Sequence, residues 1–328
     1  MRLRGIGERR LVSAIRDTFI SSAPGLITGI GDDAAVVSPP RGKRLVFTTD
    51  TMVQGVHFDL GYCTPRDLGF KCVSVNISDV HAMAAEPLYI LMAISVNPEE
   101  DASVFRGIMG GVREAAKLYR VALIGGDMTA SARGALSITI TAIGAASKPV
   151  LRSGAHPGDH IYVTGPLGDS AMGLHILKSK SAIKKVGANM ARPLIRRHLR
   201  PVSKAISPAI SRKASAMMDI SDGLMLDLSR LCDESGAGAE IYESAVPMSK
   251  QLRSAASKLG LDPLEMAMHG GEDYELIVVS RHRLPAGAFH HVGEIVDKGF
   301  IIVDAAGVRR KAICGGFDHF KAMNKGKG

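Results

Sequence analysis

Several kinds of residue and motif are scarce in this chain, and each scarcity removes a class of answers. There is no tryptophan, and aromatic residues make up only 5% of the 328 residues. Proteins that hold single-stranded nucleic acid stack its bases on aromatic rings, so that platform is missing. The four cysteines, Cys63, Cys72, Cys232 and Cys314, stand far apart. None forms a C-x-x-C pair or a zinc spacing, and they read as reduced thiols of a cytoplasmic protein. No window holds the eighteen or more apolar residues of a membrane-crossing helix. The longest apolar run, Leu88 to Val96, suits a buried strand. The N-terminus carries no signal-peptide pattern. The P-loop, the protein-kinase loop set and H-E-x-x-H are all absent, and Gly29-Ile30-Gly31 is not followed by the third glycine of a dinucleotide fingerprint.

Charge is unbalanced, at +9 with pI near 9.4. The basic residues are dispersed, and their clusters (Arg196-Arg197, Arg309-Arg310-Lys311) are short. This favours a surface that attracts small phosphorylated anions over a nucleic-acid or membrane partner.

Glycine is plentiful, at 36 residues, and much of it stands beside aspartate. The leading stretch is Gly29-Ile30-Gly31-Asp32-Asp33, where two carboxylates sit on a tight turn before an apolar run. Thr48-Thr49-Asp50, Asn76-Ile77-Ser78-Asp79, Gly125-Gly126-Asp127 and Asp219-Ile220-Ser221-Asp222-Gly223 follow. Acids gathered together repel unless cations neutralise them, and carboxylates with hydroxyls are hard-oxygen ligands suited to Mg²⁺ and its phosphates. Backbone N–H groups at Gly125-Gly126 and Gly270-Gly271 can approach phosphate closely because no side chain blocks them. Any one Asp-Gly turn is an ordinary solvated turn; the signal lies in their number. For Asp79, an exposed helix end and a metal ligand both stand. For His57, so do a packed imidazole and a contact to anionic substrate.

Taken in order, the chain alternates strands and helices, which is α/β or α+β. Leu11, Ile15 and Phe19 mark an amphipathic first helix. A strand from Arg44 to Thr49 delivers Thr48, Thr49 and Asp50 at its end. Thr64 and Pro65 start a helix that runs to about Met83. Val121 to Ile124 is a short strand ending at the Gly-Gly-Asp turn. Ala145 to Pro149 is the joint between a domain of residues 1–148 and one of 149–328. In the second domain, 178–189 reads as a mobile basic loop, Pro201 opens a helix towards Ile210, and Val292–Val296 pairs with Ile301–Val303 as a hairpin.

These motifs, with Gly55-Val56-His57-Phe58, Arg152-Ser153-Gly154-Ala155 and Gly270-Gly271-Glu272-Asp273-Tyr274, resemble the thiamine-monophosphate kinases of the aminoimidazole ribonucleotide synthetase-like superfamily over nearly the whole chain. The resemblance implies a two-domain fold whose N-terminal sheet pairs across a homodimer into a β-barrel, with a C-terminal α/β domain completing the site. It implies ATP-dependent phosphorylation of thiamine monophosphate to thiamine diphosphate with several Mg²⁺ ions. Carried over by position, Asp33, Thr48, Thr49, Asp50, Asp79, Asp127, Asp219 and Asp222 would bind metal, and Asp50 and Asp79 would matter most for catalysis. Gly126, Asp127, Arg152 and Ser221 would contact ATP. His57, Glu272 and Phe317 would contact thiamine phosphate. A cyclo-ligase of the same superfamily and a non-catalytic nucleotide-binding regulator are the alternatives.

Overall fold

A computed structural model describes residues 2–19, 23–30, 34–131 and 134–312. The chain divides after Pro149 into two compact units. None of the described helices is long and apolar enough to cross a membrane.

The first unit contains α1 (Leu3–Ile6), α2 (Glu8–Thr18), β1 (Leu26–Thr28), β2 (Val36–Val37), β3 (Arg44–Val53), α3 (Pro65–Ala82), β4 (Glu86–Val96), α4 (Ala102–Tyr119), β5 (Ala122–Ala130) and β6 (Ser137–Ala146). Its sheet runs β3-β6-β4-β5, with β1-β2 as a separate pair. Only β4 and β5 are parallel, and α4 makes the crossover between them. Thr64 caps α3 by accepting from the Asp67 N–H at 3.1 Å, with Pro65 at the first turn. Asp101 caps α4 through the Ser103 N–H at 2.8 Å. Helix α3 lies against β3, β6, β4 and α4, and so is buried on nearly all sides. The two helices meet backbone to backbone: a Cβ on Gly69 would collide with the Ile108 carbonyl, and one on Gly111 with the Arg66 carbonyl.

Two strands run further than the sequence suggests. β3 continues to Val53, so Thr48, Thr49 and Asp50 lie inside it, paired with Ala142, Thr141 and Ile140 of β6. β5 continues to Ala130, so Gly125-Gly126-Asp127 is strand, paired with Leu91, Met92 and Ala93. Glycine signalled a turn, yet at Gly126 it answers a close approach: a Cβ there would strike the Met92 carbonyl.

The second unit contains β7 (His160–Val163), α5 (Asp169–Lys178), α6 (Lys180–Val186), α7 (Ala188–Leu199), α8 (Pro208–Ser211), β8 (Ala214–Asp219), α9 (Leu224–Ser235), β9 (Gly238–Tyr242), α10 (Lys250–Leu259), α11 (Pro263–His269), β10 (Leu276–Ser280), β11 (His290–Val296), β12 (Phe300–Val303) and β13 (Arg309–Lys311). The sheet order is β13-β12-β9-β11-β7-β10-β8. Ile161, Val163, Met218, Ile241, Ile277 and Val279 from the strands form one core with Met172, Leu194, Leu224, Leu228 and Leu252 from the helices.

Three expectations fail here. The basic stretch 178–189 is helical, not a loop. Ser179 caps α6, and buried Ala182 and Val186 lie one turn apart beneath the lysines. Pro201 opens no helix; the helix begins at Pro208 as α8, because Pro disfavours helix at the residue before it. β11 and β12 form no hairpin: β9 lies between them, antiparallel to β11 and parallel to β12. Alternation identifies strands but not their partners.

Candidate active site

In the first unit, the site grows from the seam between β3 and α3. Thr48 and Asp50 are two residues apart and so point to the same side of the sheet, towards α3. The Thr48 hydroxyl donates to Asp79 Oδ2 at 2.6 Å. One turn earlier, Asn76 Oδ1 accepts from the Asp50 N–H at 3.0 Å, and its amide donates to the Cys72 carbonyl at 2.9 Å. Asn76 is buried, Asp79 half-buried and Asp50 exposed. The Asp79 carboxylate is thus held by a β3 hydroxyl, while Asp50, tethered at its backbone, lies on the same side of the sheet. His57 accepts at Nδ1 from the Val53 N–H at 3.0 Å, which leaves the proton on Nε2 and ties the 55–58 turn to the end of β3.

The other predicted residues of this unit lie elsewhere on the sheet. Thr49 points to the opposite face, where its hydroxyl is 3.1 Å from that of Thr141. Strand pairing places Asp127 in the row of Ala93, Thr139 and Thr51, also on that opposite face. Its strand is three positions from β3, roughly 14 Å across the sheet. Asp127 and Asp50 of one unit therefore do not share an ion. Beside Gly125, Gly126 and Asp127 is an apolar cavity of about 140 Å³, walled by Val12 and Ile15 of α2, Ile94 of β4 and Met109 of α4.

In the second unit, two predicted motifs fold against each other. The Glu272 N–H donates to the Ser221 carbonyl at 2.7 Å, and the Tyr274 N–H to the Ile220 carbonyl at 2.9 Å. Glu272 and Tyr274 both adopt left-handed backbone, with φ of 64° and 50°. Neither is glycine, so this turn holds strain of about 1–3 kcal/mol per residue. Gly271 permits the contact, since a Cβ there would meet the Ser221 carbonyl at 2.5 Å. Glu272 Oε2 lies 3.1 Å from Nδ1 of the buried His198. Asp219 is buried at the end of β8. Asp222 is half-buried and accepts from Arg230 Nη1 at 2.6 Å. Arg152 is exposed; its carbonyl accepts from the Ser235 hydroxyl at 2.9 Å. Asp33 and Phe317 lie outside the described residues.

Several residues that shape these sites were given no role of their own by the sequence. Asp227 is fully buried, and its Oδ2 accepts from the N–H groups of Ser221, Asp222 and Gly223 at 2.9, 2.8 and 3.2 Å. Burial pushes its pKa up to about 6 against those hydrogen bonds, so it is mostly ionised at pH 7. Arg230 reaches its other oxygen at 2.9 Å. Asp273 accepts from the N–H groups of Gly168 and Ser170 at 2.6 and 3.2 Å, and burial pushes it up to about 7. Glu275 pairs with Arg197 and takes the Thr164 hydroxyl at 2.6 Å. The one sequence signal for Asp227 was an acid in the first turn of a helix that opens directly after Ser-Asp-Gly.

Comparison with known proteins agrees with this architecture. Residues 31–146 match the AIR synthase related protein N-terminal domain, and residues 156–305 the corresponding C-terminal domain. The chain is 34% identical over 323 residues to the thiamine-monophosphate kinase of Aquifex aeolicus, covering 98% of this chain and 100% of that one. It is 42% identical over 253 residues to the thiamine-monophosphate kinase of Buchnera aphidicola subsp. Acyrthosiphon pisum, 76% of each chain. The solved structure of AaThiL complexed with AMPPCP and TMP superposes with a TM-score of 0.78 at 32% identity, covering 98% of this chain and 99% of that one.

Proposed function

The chain belongs to the thiamine-monophosphate kinases of the AIR synthase related family, and from that membership we propose how its own side chains carry the reaction. It is an ATP-dependent phosphotransferase: the terminal phosphoryl group of ATP passes to thiamine monophosphate, giving thiamine diphosphate and ADP. The acceptor is a phosphate oxygen already ionised at neutral pH, so no strong general base is required. Transfer is direct and in line, helped by positioning and by stabilisation of charge.

The juncture of β3 and α3 carries this reading. Thr48, Asp50 and Asp79 offer only hard oxygen donors on one side of the sheet, and the Thr48–Asp79 hydrogen bond holds one carboxylate in place. These donors fit Mg²⁺, and Asp50 and Asp79 are the residues on which turnover depends most. Thr49 and Asp127 add donors on the other face, Asp33 adds one from the sequence that precedes β2, and Asp219 and Asp222 add those of the second unit. When bound, Mg²⁺ neutralises phosphate charge. Gly126, Asp127, Arg152 and Ser221 contact ATP, and the apolar cavity beside Gly126 has the lining for a flat base. His57, Glu272 and Phe317 contact thiamine phosphate.

The protein acts as a homodimer in the cytoplasm. Supporting a dimer, β3 and β5 are edge strands of the first unit's sheet, and Phe47 on β3 is 63% exposed. Supporting the cytoplasm, Cys63, Cys72 and Cys232 are buried thiols outside any disulfide.

A coupled ADP-release assay with Mg²⁺, ATP and a panel of phosphorylated acceptors tests the reading. ADP should appear with thiamine monophosphate. Binding of ATP without ADP release in its presence, or turnover only with purine precursors, would overturn it.

A further inference from the structure

The second unit carries a cluster that the kinase reaction does not use. His160 on β7 lies directly opposite Glu294 on β11, and His291 lies opposite Tyr162 of β7. Residues 291 and 294 are three apart, so a regular strand would send their side chains to opposite faces. The pairing shifts between His291 and Gly293, which makes Val292 an extra residue, and the bulge returns both side chains to the same side. One potential ligand atom from each of His160, His291 and Glu294 lies within 4.8 Å of the other two.

His160 gives the second observation. Its Nδ1 is buried and makes no hydrogen bond. The Glu294 Oε1 stands 3.6 Å away, beyond hydrogen-bond reach. A buried ring nitrogen left unsatisfied costs free energy unless something takes its lone pair or its proton. The His291 ring approaches edge-on, with centroids 5.0 Å apart, and Tyr162 and Tyr242 wall the group at 5.3 and 6.0 Å from His291. The neighbouring acid Glu240, opposite Glu294 on β9, is already paired with Arg309.

We propose that His160, His291 and Glu294 form a binding site for a borderline divalent transition metal of the Zn²⁺ type, separate in chemistry from the Mg²⁺ ligands. Two imidazoles and one carboxylate are ligands that Zn²⁺ favours and that hard Mg²⁺ does not. Tetrahedral ligands at zinc distances stand about 3.3 Å from one another, so the group closes on an ion through side-chain rotation on two adjacent strands. Three protein ligands leave a fourth position for water or an outside donor. Arg283 adds a positive charge near His291, which favours a carboxylate in the set and moderates affinity.

Equilibrium dialysis of the full chain against Zn²⁺ with millimolar Mg²⁺ present should give one saturable site per chain. Glu294→Gln should weaken it about 10- to 100-fold, and His291→Ala should abolish it, while His290→Ala, one residue away, should leave it intact. Co²⁺ in place of Zn²⁺ should give visible d–d bands without thiolate charge transfer, and these bands should disappear in His291→Ala. Circular dichroism confirms that the variants fold; Glu294→Gln, a near-isosteric change, is decisive if His291→Ala does not. Absence of saturable Zn²⁺ binding, or binding unchanged by both substitutions, would overturn the proposal.

Discussion

Asp79 accepts a hydrogen bond from the hydroxyl of Thr48, thirty-one positions earlier, and that bond ties the end of α3 to β3. Asp79→Asn keeps the shape and removes the charge. Its turnover should fall about 100-fold or more, with an unfolding midpoint near that of the wild type, as read by ADP release and urea melts. Thr48→Val should lower activity less, because it removes the hydrogen bond and leaves the carboxylate. Asp227 gives a prediction in pH. Its folded pKa, about 6, stands above an unfolded value near 4, so the native chain keeps a proton that the unfolded chain has released. The stability from this proton is full below pH 4 and is lost as pH rises through 6. Urea melts from pH 4 to 7 should show the wild type losing up to about 3 kcal/mol more than Asp227→Asn over that range. At this scale the Asp-bearing motifs were visible in one dimension, but the backbone beneath them was not: Asp50 and Asp127 lie in strands and Asp79 in a helix rather than in turns. The roles of Asn76, Asp227 and Arg230 were not visible. Asn76 meets β3 only once α3 has formed, and Arg230 meets Asp222 only once α9 has formed behind the segment that carries Asp222.

Helices α3 and α4 show what an element can hide from sequence reading. Because α3 is buried on nearly every side, it carries no clean apolar stripe, and its end caps located it better than its periodicity. The helix α6 was missed for the opposite reason, since exposed lysines outnumber the two residues that anchor it. The close seam at Gly69 and Gly111 sets the position of α3, and with it Asn76 and Asp79. Gly111→Ala should push the helices apart and cost about 1–3 kcal/mol, with reduced kcat. Gly110→Ala, one residue earlier with nothing within 4 Å of a new Cβ, should stabilise by about 0.5–1 kcal/mol. Opposite signs at adjacent glycines, read by chemical denaturation, test the packing directly.

For the whole molecule, composition and motif order indicated two α/β units, but strand order was beyond reach, as β9 between β11 and β12 illustrates. The bare Phe47 bears on assembly. On the dimer proposed above, Phe47→Glu should shift the protein towards monomer in analytical ultracentrifugation and reduce ADP release with it, since charge on an edge strand opposes pairing. The sheet order of the second unit also has a temporal side. Every strand of the first unit's four-stranded sheet finds its neighbours between residues 44 and 146, whereas β7 is flanked by β10 and β11, whose residues come more than a hundred positions later. During synthesis the first unit can close as soon as β6 leaves the ribosome, while β7 waits with both edges open until most of the chain is made. Nascent chains stalled before residue 276 are therefore where protease sensitivity and chaperone capture should concentrate.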